Sequence, residues 1–353
     1  MIWLTWRQSR AQTAMMFAAL ALLAAILALT GPGLADDYSA GIAGCATQGD
    51  GCSDFVQRFF DDNRNAFLAV TAVVLVLPAL IGVFWGAPLI ARELEAGTHR
   101  LVWNQSITRT RWLAVKLGLV ALATVTAAGL GSLAVDWWSN PLDKAAADDF
   151  QRMDPLLFAT RGIVPIGYAA FAFALGVTAG MLVRRTVPAM AITLAVFVAV
   201  QIAMPQLVRP HLIPPTRSTI EITPSNFDQL LIGPDRRVQV GAKPADPGAW
   251  VLSSQTVDAS GHAIDSIPPT PSLSPTSGPC APSKRPPAQH PAGADAEFAG
   301  CLAEVKRLGY QQRMTYQPAS RFWPFQWYET AIYTALSLGL AGFCFWRIRN
   351  RLA

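Results

Sequence analysis

The 353-residue sequence carries little charge: 14% of its residues are Asp, Glu, Lys or Arg, against about a quarter in an ordinary soluble domain. Cysteines are also few, five in all, and none has the CxxC spacing of a zinc or redox motif. The chain has no Gly-Lys pair, so it lacks a phosphate-binding P-loop, and it has no His-Glu-x-x-His motif. These features exclude a disordered chain and argue against a soluble enzyme. They predict no metal, cofactor or catalytic site in this chain.

What the sequence does contain is long apolar segments. A bilayer span needs about 20 mostly apolar residues, and six segments qualify: 14–30, 66–88, 112–135, 162–183, 186–204 and 328–346. The first could instead be a signal peptide, because Gly33-Leu34-Ala35 offers a cleavage site. We favour a retained span, since its removal would spoil the charge pattern of the connecting segments.

The connecting segments alternate in charge. Segments 1–13, 89–116, 183–187 and 347–353 hold twelve basic residues and two acids, whereas the other connections hold sixteen basic and twenty-one acidic residues. Lys and Arg close to span ends stay on the cytoplasmic side. The net charge of +5 is therefore a topology signal that places both termini inside, and it gives no reason to invoke nucleic acid.

The predicted fold is an all-α polytopic membrane protein with six transmembrane helices and one small mixed extracytoplasmic domain. Spans one to five occupy 14–206, a Pro-rich outer domain occupies 207–327, and span six with a basic tail occupies 328–353. Within the outer domain we expect short strands at 219–223 and 237–240 and a helix at 297–309 that ends at Gly309. A partly disordered loop is the alternative for this domain.

Four cysteines lie in the predicted outer segments, where an oxidising environment favours disulfides. The economical pairing is local, Cys45 with Cys52 and Cys280 with Cys301, although the sequence does not exclude a bridge between the two segments. The fifth, Cys344, lies near the inner end of span six and is expected to pack as a small apolar residue.

Ionisable and small residues in the spans carry two further expectations. No Asp, Glu, Lys or Arg lies near the centre of a span; Lys116, Asp136 and Glu329 lie at span ends, where we expect them to reach water. This lowers the prospect of ion-coupled transport. The pairs Gly82-xxx-Gly86 and Gly176-xxx-Gly180 permit close helix contact, within the chain or between copies.

The cytoplasmic segment 89–111 holds the only two acids of the basic side, Glu93 and Glu95. Residues 89–96 are good helix formers and Gly97 is a helix stop. A second short helix is expected to begin at Thr98, and Thr108 is expected to cap the third span. A plain topology-fixing basic loop is the alternative reading of this segment.

Two stretches resemble a known family. The run Ile90-Ala-Arg-Glu-x-Glu-x-Gly-Thr98, with Ser-Ile-Thr-Arg109 and Lys116 after it, resembles the signature of ABC type-2 transporter permeases. Residues 1–13 resemble the amphipathic elbow helix of that family. The elbow would use two interfacial tryptophans and two arginines: Trp3, Trp6, Arg7 and Arg10. The run at 318–326 is similar to actinobacterial members.

The resemblance implies the transmembrane subunit of a multi-pass exporter in a bacterial plasma membrane. Such an exporter has two permease copies, identical or different, and a separate ATPase that binds ATP and Mg²⁺. The residues that would couple permease to ATPase are Glu93, Glu95, Gly97, Thr98, Arg100 and Arg109. The two acids would pair with basic groups on the ATPase or within the elbow. A path between apolar spans favours a hydrophobic or amphipathic cargo, with membrane lipid around it.

Two other classes of function compete with the permease. The outer domain exceeds what a bare pore needs, so the chain could be a membrane-anchored sensor or assembly factor that binds a ligand or envelope partner. A membrane enzyme is the weakest alternative, because no cluster of His, Asp or Cys is placed to perform chemistry.

Overall fold

The structure, a computed structural model, describes residues 2–48, 52–97, 108–146, 150–232, 238–268, 273, 280 and 294–350. The chain divides into two compact units. The first, here called the membrane unit, comprises 1–212 and 321–353, and the second, the sheet unit, comprises 213–320. The sheet unit lies within the range 207–327 expected for a separate domain.

The described residues form ten α-helices. In chain order they are α1 Ile2–Gln48, α2 Ser53–Ile81, α3 Ala87–Glu95, α4 Arg109–Ala145, α5 Pro155–Phe158, α6 Val164–Val183, α7 Thr186–Ala203, α8 Arg209–Leu212, α9 Ala294–Arg307 and α10 Phe322–Asn350. Two π-helical turns, Gly82–Gly86 and Met204–Val208, join α2 to α3 and α7 to α8. Helix α9 belongs to the sheet unit and the other nine to the membrane unit.

Six of the described helical segments are long and apolar enough to cross a membrane. They are Phe17–Cys45, Ser53–Glu95, Arg109–Ala145, Val164–Val183, Thr186–Leu212 and Ala319–Asn350. The number of spans agrees with the sequence prediction, while the orientation in the membrane stays a prediction. Helix α1 runs without a break from Ile2 to Gln48, so the backbone does not set the expected elbow 1–13 apart from span one.

Helix α6 is the most buried of the six candidate spans, because small residues let its neighbours approach closely. A Cβ atom added to Gly176 would lie 2.3 Å from the carbonyl oxygen of Gly82, and one added to Gly180 would lie 2.4 Å from that of Ala87. One added to Gly86 would lie 2.5 Å from the carbonyl oxygen of Phe173. Thus the two Gly-xxx-Gly pairs face each other within one chain.

The sheet unit contains a four-stranded antiparallel sheet and a two-stranded one. Its strands are β1 Thr216–Glu221, β2 Phe227–Ile232, β3 Val238–Ala242, β4 Trp250–Val257, β5 Ala263–Ile264 and β6 Gln311–Gln317. The larger sheet has the order β1-β6-β4-β5, with Thr216 opposite Tyr316, and the smaller pairs β2 with β3. Helix α9 contributes Leu302 and Val305 to a core that includes Val238 and Met314. The expected helix stop is confirmed, since Gly309 has a φ of +78°.

Both local disulfides are present in the structure. Cys45–Cys52 joins the end of α1 to the start of α2, with the Cα atoms 5.4 Å apart. The second disulfide joins Cys280 to Cys301 of α9, with the Cα atoms 4.6 Å apart. Cys344 is a buried free cysteine, as expected.

Candidate functional site

Helix α3 is the core of the predicted coupling segment, and local sequence explains its limits. It continues α2 through the π turn Gly82–Gly86 and ends at Glu95, followed by the C-cap Ala96 and by Gly97, which adopts a φ of +69°. Only glycine takes that left-handed conformation without strain. Thr108 caps α4 as predicted, because its hydroxyl oxygen accepts a hydrogen bond from the Arg111 N–H at 3.3 Å.

Glu93 ties α3 to span three. Its carboxylate forms an ion pair with Lys116 on α4. The Lys116 side chain is only 5% exposed and that of Glu93 18%, so solvent screens the pair weakly. The Lys116 ammonium also lies 4.9 Å from the centre of the Trp112 ring, within the range of a cation–π contact. Movement of α3 therefore cannot leave α4 behind without separating partly buried charges.

Glu95 ties the same helix to span five. Its carboxylate accepts hydrogen bonds from the Thr186 N–H at 3.0 Å and from the Thr186 hydroxyl at 2.8 Å. Thr186 is the first residue of α7, where unpaired N–H groups and the helix dipole favour a negative charge. Glu95 thus acts as a capping group supplied by a different helix.

Span four completes the attachment of α3. Ala87 and Ala91 of α3 pack with Ala179 of α6 and Ala189 of α7 in one buried cluster, and Gly180 provides the space for this contact. Helix α3 is therefore continuous with span two and held to spans three, four and five by an ion pair, by apolar packing and by the Glu95 cap.

The two acids have partners within the described part of the chain. Glu93 pairs with Lys116 and Glu95 with Thr186, while the expected pairing with basic groups on an ATPase or in the elbow stays a prediction. Arg109 is exposed at the first turn of α4. Thr98 and Arg100 lie outside the described residues, and so do four elbow side chains: Trp3, Trp6, Arg7 and Arg10.

A second set of charges lies at the opposite ends of the spans and was missed by sequence reasoning. Arg209 of α8 binds Glu329 of α10 with Nε–Oε2 and Nη2–Oε1 distances of 2.8 and 3.1 Å. Both side chains are buried, at 1% and 0% exposure. The Tyr168 hydroxyl of α6 donates to Glu329 at 2.5 Å, and the Arg209 guanidinium lies 4.0 Å from the centre of the Phe158 ring.

The same end of the spans contains a second buried ion pair, in addition to Arg209–Glu329. Arg161 donates to Asp143 of α4 at distances of 3.1 to 3.3 Å, and both side chains are buried. The Gly162 N–H donates to the Asp136 carboxylate at 3.0 Å. Gln326 of α10 accepts from the N–H groups of residues 163 and 164, so it caps the start of α6.

The expectation that charges at span ends reach water is wrong for Lys116 and Glu329. Both side chains are buried, each against an opposite charge from another helix. The cost of burying a charge is offset only when a partner and further hydrogen bonds satisfy it. The sequence contains a signal for this pair, because Arg209 follows span five and Glu329 begins span six on the same predicted side. Counting both residues among the charges of the outer segments treats them as exposed to solvent, and so misses their pairing.

These features define a multi-pass membrane protein whose spans are joined by ion pairs at both ends. The family model described as "ABC-2 membrane transporter related" matches residues 17–209. That match covers more than half of the chain, from α1 to the start of α8, so the chain belongs to this family. No curated protein matches the sequence, and no solved structure does either. The matched region contains helix α3 together with Lys116, Ala179, Thr186 and Ala189, which contact it.

Proposed function

We propose that this chain is the permease subunit of an ATP-driven ABC exporter in a bacterial plasma membrane. The chain itself would catalyse no reaction: a separate cytoplasmic ATPase would bind ATP and Mg²⁺. The translocation path would form between this chain and a second permease copy, identical or different. The observation that carries the proposal is the attachment of α3 to four spans, within a chain of the ABC-2 membrane transporter related family.

Helix α3 has the connections that a coupling lever needs. A force on its C-terminal end reaches span two along the backbone and span three through the Glu93–Lys116 ion pair. It reaches span four through the small-residue packing and span five through the Glu95 cap on Thr186. Such an arrangement transmits a rigid-body displacement instead of a local bend. In this scheme the acids brace the lever, while Thr98, Arg100 and Arg109 keep the predicted role of contacting the ATPase.

The test is the ATP turnover of the full chain co-purified with its ATPase. Glu93→Gln weakens the link between α3 and α4 without changing side-chain size. We expect turnover per assembled complex to fall at least about fivefold, the lower range of typical coupling energies. The amount of assembled complex should not change. Glu221→Gln in the sheet unit makes the same chemical change in an exposed ion pair and should leave turnover unaltered.

Two results would count against the proposal. Failure of any ATPase to co-purify with the full chain would remove the exporter assignment. Unchanged turnover in Glu93→Gln, with a complex that still assembles, would remove α3 as the coupling lever.

A further inference from the structure

An apolar groove runs along one side of span two in the membrane unit. One cavity of about 810 Å³ is lined by Ala19 of α1, by Leu80 and Phe84 of span two, and by Met190 of α7. A second, of about 470 Å³, continues it between α1 and α2 as far as Ala72. The two share the lining residues Ala19, Leu77 and Leu80. They form one continuous groove between spans one, two and five.

The groove is long enough to hold an alkyl chain. From Ala72 to Pro88 it follows roughly 24 Å of helix at ~1.5 Å per residue, which exceeds the ~15 Å hydrocarbon depth of one bilayer leaflet. The larger cavity alone has the volume of a small-molecule site. Apart from Arg92, Glu95 and Thr186, its lining side chains are aliphatic, aromatic or proline.

Polar groups lie at one end of the groove only. Arg92, Glu95 and Thr186 line the larger cavity there. The Glu95 carboxylate is engaged by Thr186 at the start of α7, whereas Arg92 is exposed and has no ion pair in the described ranges. Arg185 precedes Thr186 directly and acts on Glu95 electrostatically, so two arginines and a helix N-terminus lie near this carboxylate. The local excess of positive charge favours an anionic group.

We infer that this groove binds a single-chain amphiphile with an anionic head, its head on Arg92 and its chain along Leu80, Leu77 and Ala72. This inference rests on the proposed function, and it names the class of cargo that the exporter would transport. A neutral or cationic head would gain no charge-assisted hydrogen bond from the Arg92 guanidinium.

The test uses the full chain in a neutral detergent and needs neither an ATPase nor transport. The probe is palmitoyl lysophosphatidic acid that carries a photoreactive diazirine near the end of the chain. Palmitoyl lysophosphatidylcholine with the same diazirine has a zwitterionic head, and inorganic phosphate has no chain. Mass spectrometry of the labelled peptides locates the site, and competition with unlabelled amphiphile gives the affinity.

We expect saturable labelling of α1 and α2 along the groove by the anionic probe, in preference to the zwitterionic one. Arg92→Gln should weaken binding of the anionic probe roughly tenfold, the value of one charge-assisted hydrogen bond, and weaken the zwitterionic probe less, because its choline offsets the phosphate charge. Val76→Trp should fill the groove and weaken both probes. The matched controls are Arg349→Gln and Leu338→Trp on α10, where both side chains are exposed; neither should alter binding.

Three results would overturn the inference. The first is equal affinity for the two probes with no effect of Arg92→Gln. The second is labelling spread evenly over the spans. The third is efficient disulfide cross-linking of Val76→Cys between two chains, which would assign the groove to a second copy. Binding is measured without ATP, so a negative result for the groove would not contradict the coupling proposal. A chain that binds the probe but does not bind an ATPase would contradict only the exporter assignment.

Discussion

Two ion pairs with the same N–O distance lie in the two units of this protein. Arg209–Glu329 in the membrane unit and Lys306–Glu221 in the sheet unit both have an N–O distance of 2.8 Å. The first pair is 1% and 0% exposed, the second 58% and 55%. Because water screens the exposed pair and replaces either partner when one is lost, equal distances conceal very different energies. Burial, and not distance, decides what each pair contributes.

A third pair has intermediate burial. Glu93–Lys116 is 18% and 5% exposed and holds α3, the element on which we base the proposed coupling. At the opposite end of the spans, Arg209–Glu329 has two contacts between the charged groups and a tyrosine hydroxyl in addition. The ion pair at this end is thus more completely buried and satisfied than the one that holds the proposed lever.

The largest effect is expected from breaking the buried pair. Arg209→Met leaves the Glu329 carboxylate buried without its guanidinium, and we expect a loss of about 3–5 kcal/mol of folding stability. Thermal unfolding of the full chain in detergent measures it. The double variant Arg209→Met, Glu329→Leu removes both charges and should recover most of the loss. A double variant as unstable as the single one would show that the pair contributes through shape and not through charge.

An intermediate effect is expected at α3. Lys116→Met keeps the length and the apolar stem of the side chain but removes the charge beside Glu93. Since the carboxylate retains partial access to water, we expect a loss of about 1–3 kcal/mol, measured by the same unfolding experiment. Lys144→Met, at the far end of the same helix where the side chain is exposed, is the control. A loss as large as that of Arg209→Met would remove the distinction between the two ends.

The features of this structure that the sequence predicts correctly are those determined by short stretches of chain. Gly97 ends α3, Thr108 caps α4, and each disulfide closes a short local loop. In each case the residue type and its near neighbours determine the conformation. The number of spans also follows from the sequence, because a bilayer requires about 20 apolar residues for each.

The contacts between helices could not be predicted in the same way. Arg209 and Glu329 are 120 residues apart and Glu93 and Lys116 are 23 apart, so their pairing depends on which spans pack together. The two Gly-xxx-Gly pairs were recognisable as contact surfaces, but nothing in either motif names the other as its partner. The groove beside span two likewise exists only once spans one and five lie against it.

The smallest effect is expected from the exposed pair, which tests the comparison where distance alone would predict no difference. Glu221→Gln should cost no more than about 1 kcal/mol, because the Lys306 ammonium returns to water when its partner is lost. That small loss should shrink further in high salt, whereas the loss in Arg209→Met should change little, since mobile ions do not reach a buried pair. Unfolding of both variants at low and high ionic strength checks this. A salt-insensitive loss of several kcal/mol in Glu221→Gln would mean that the N–O distance, and not burial, determines the strength of these pairs.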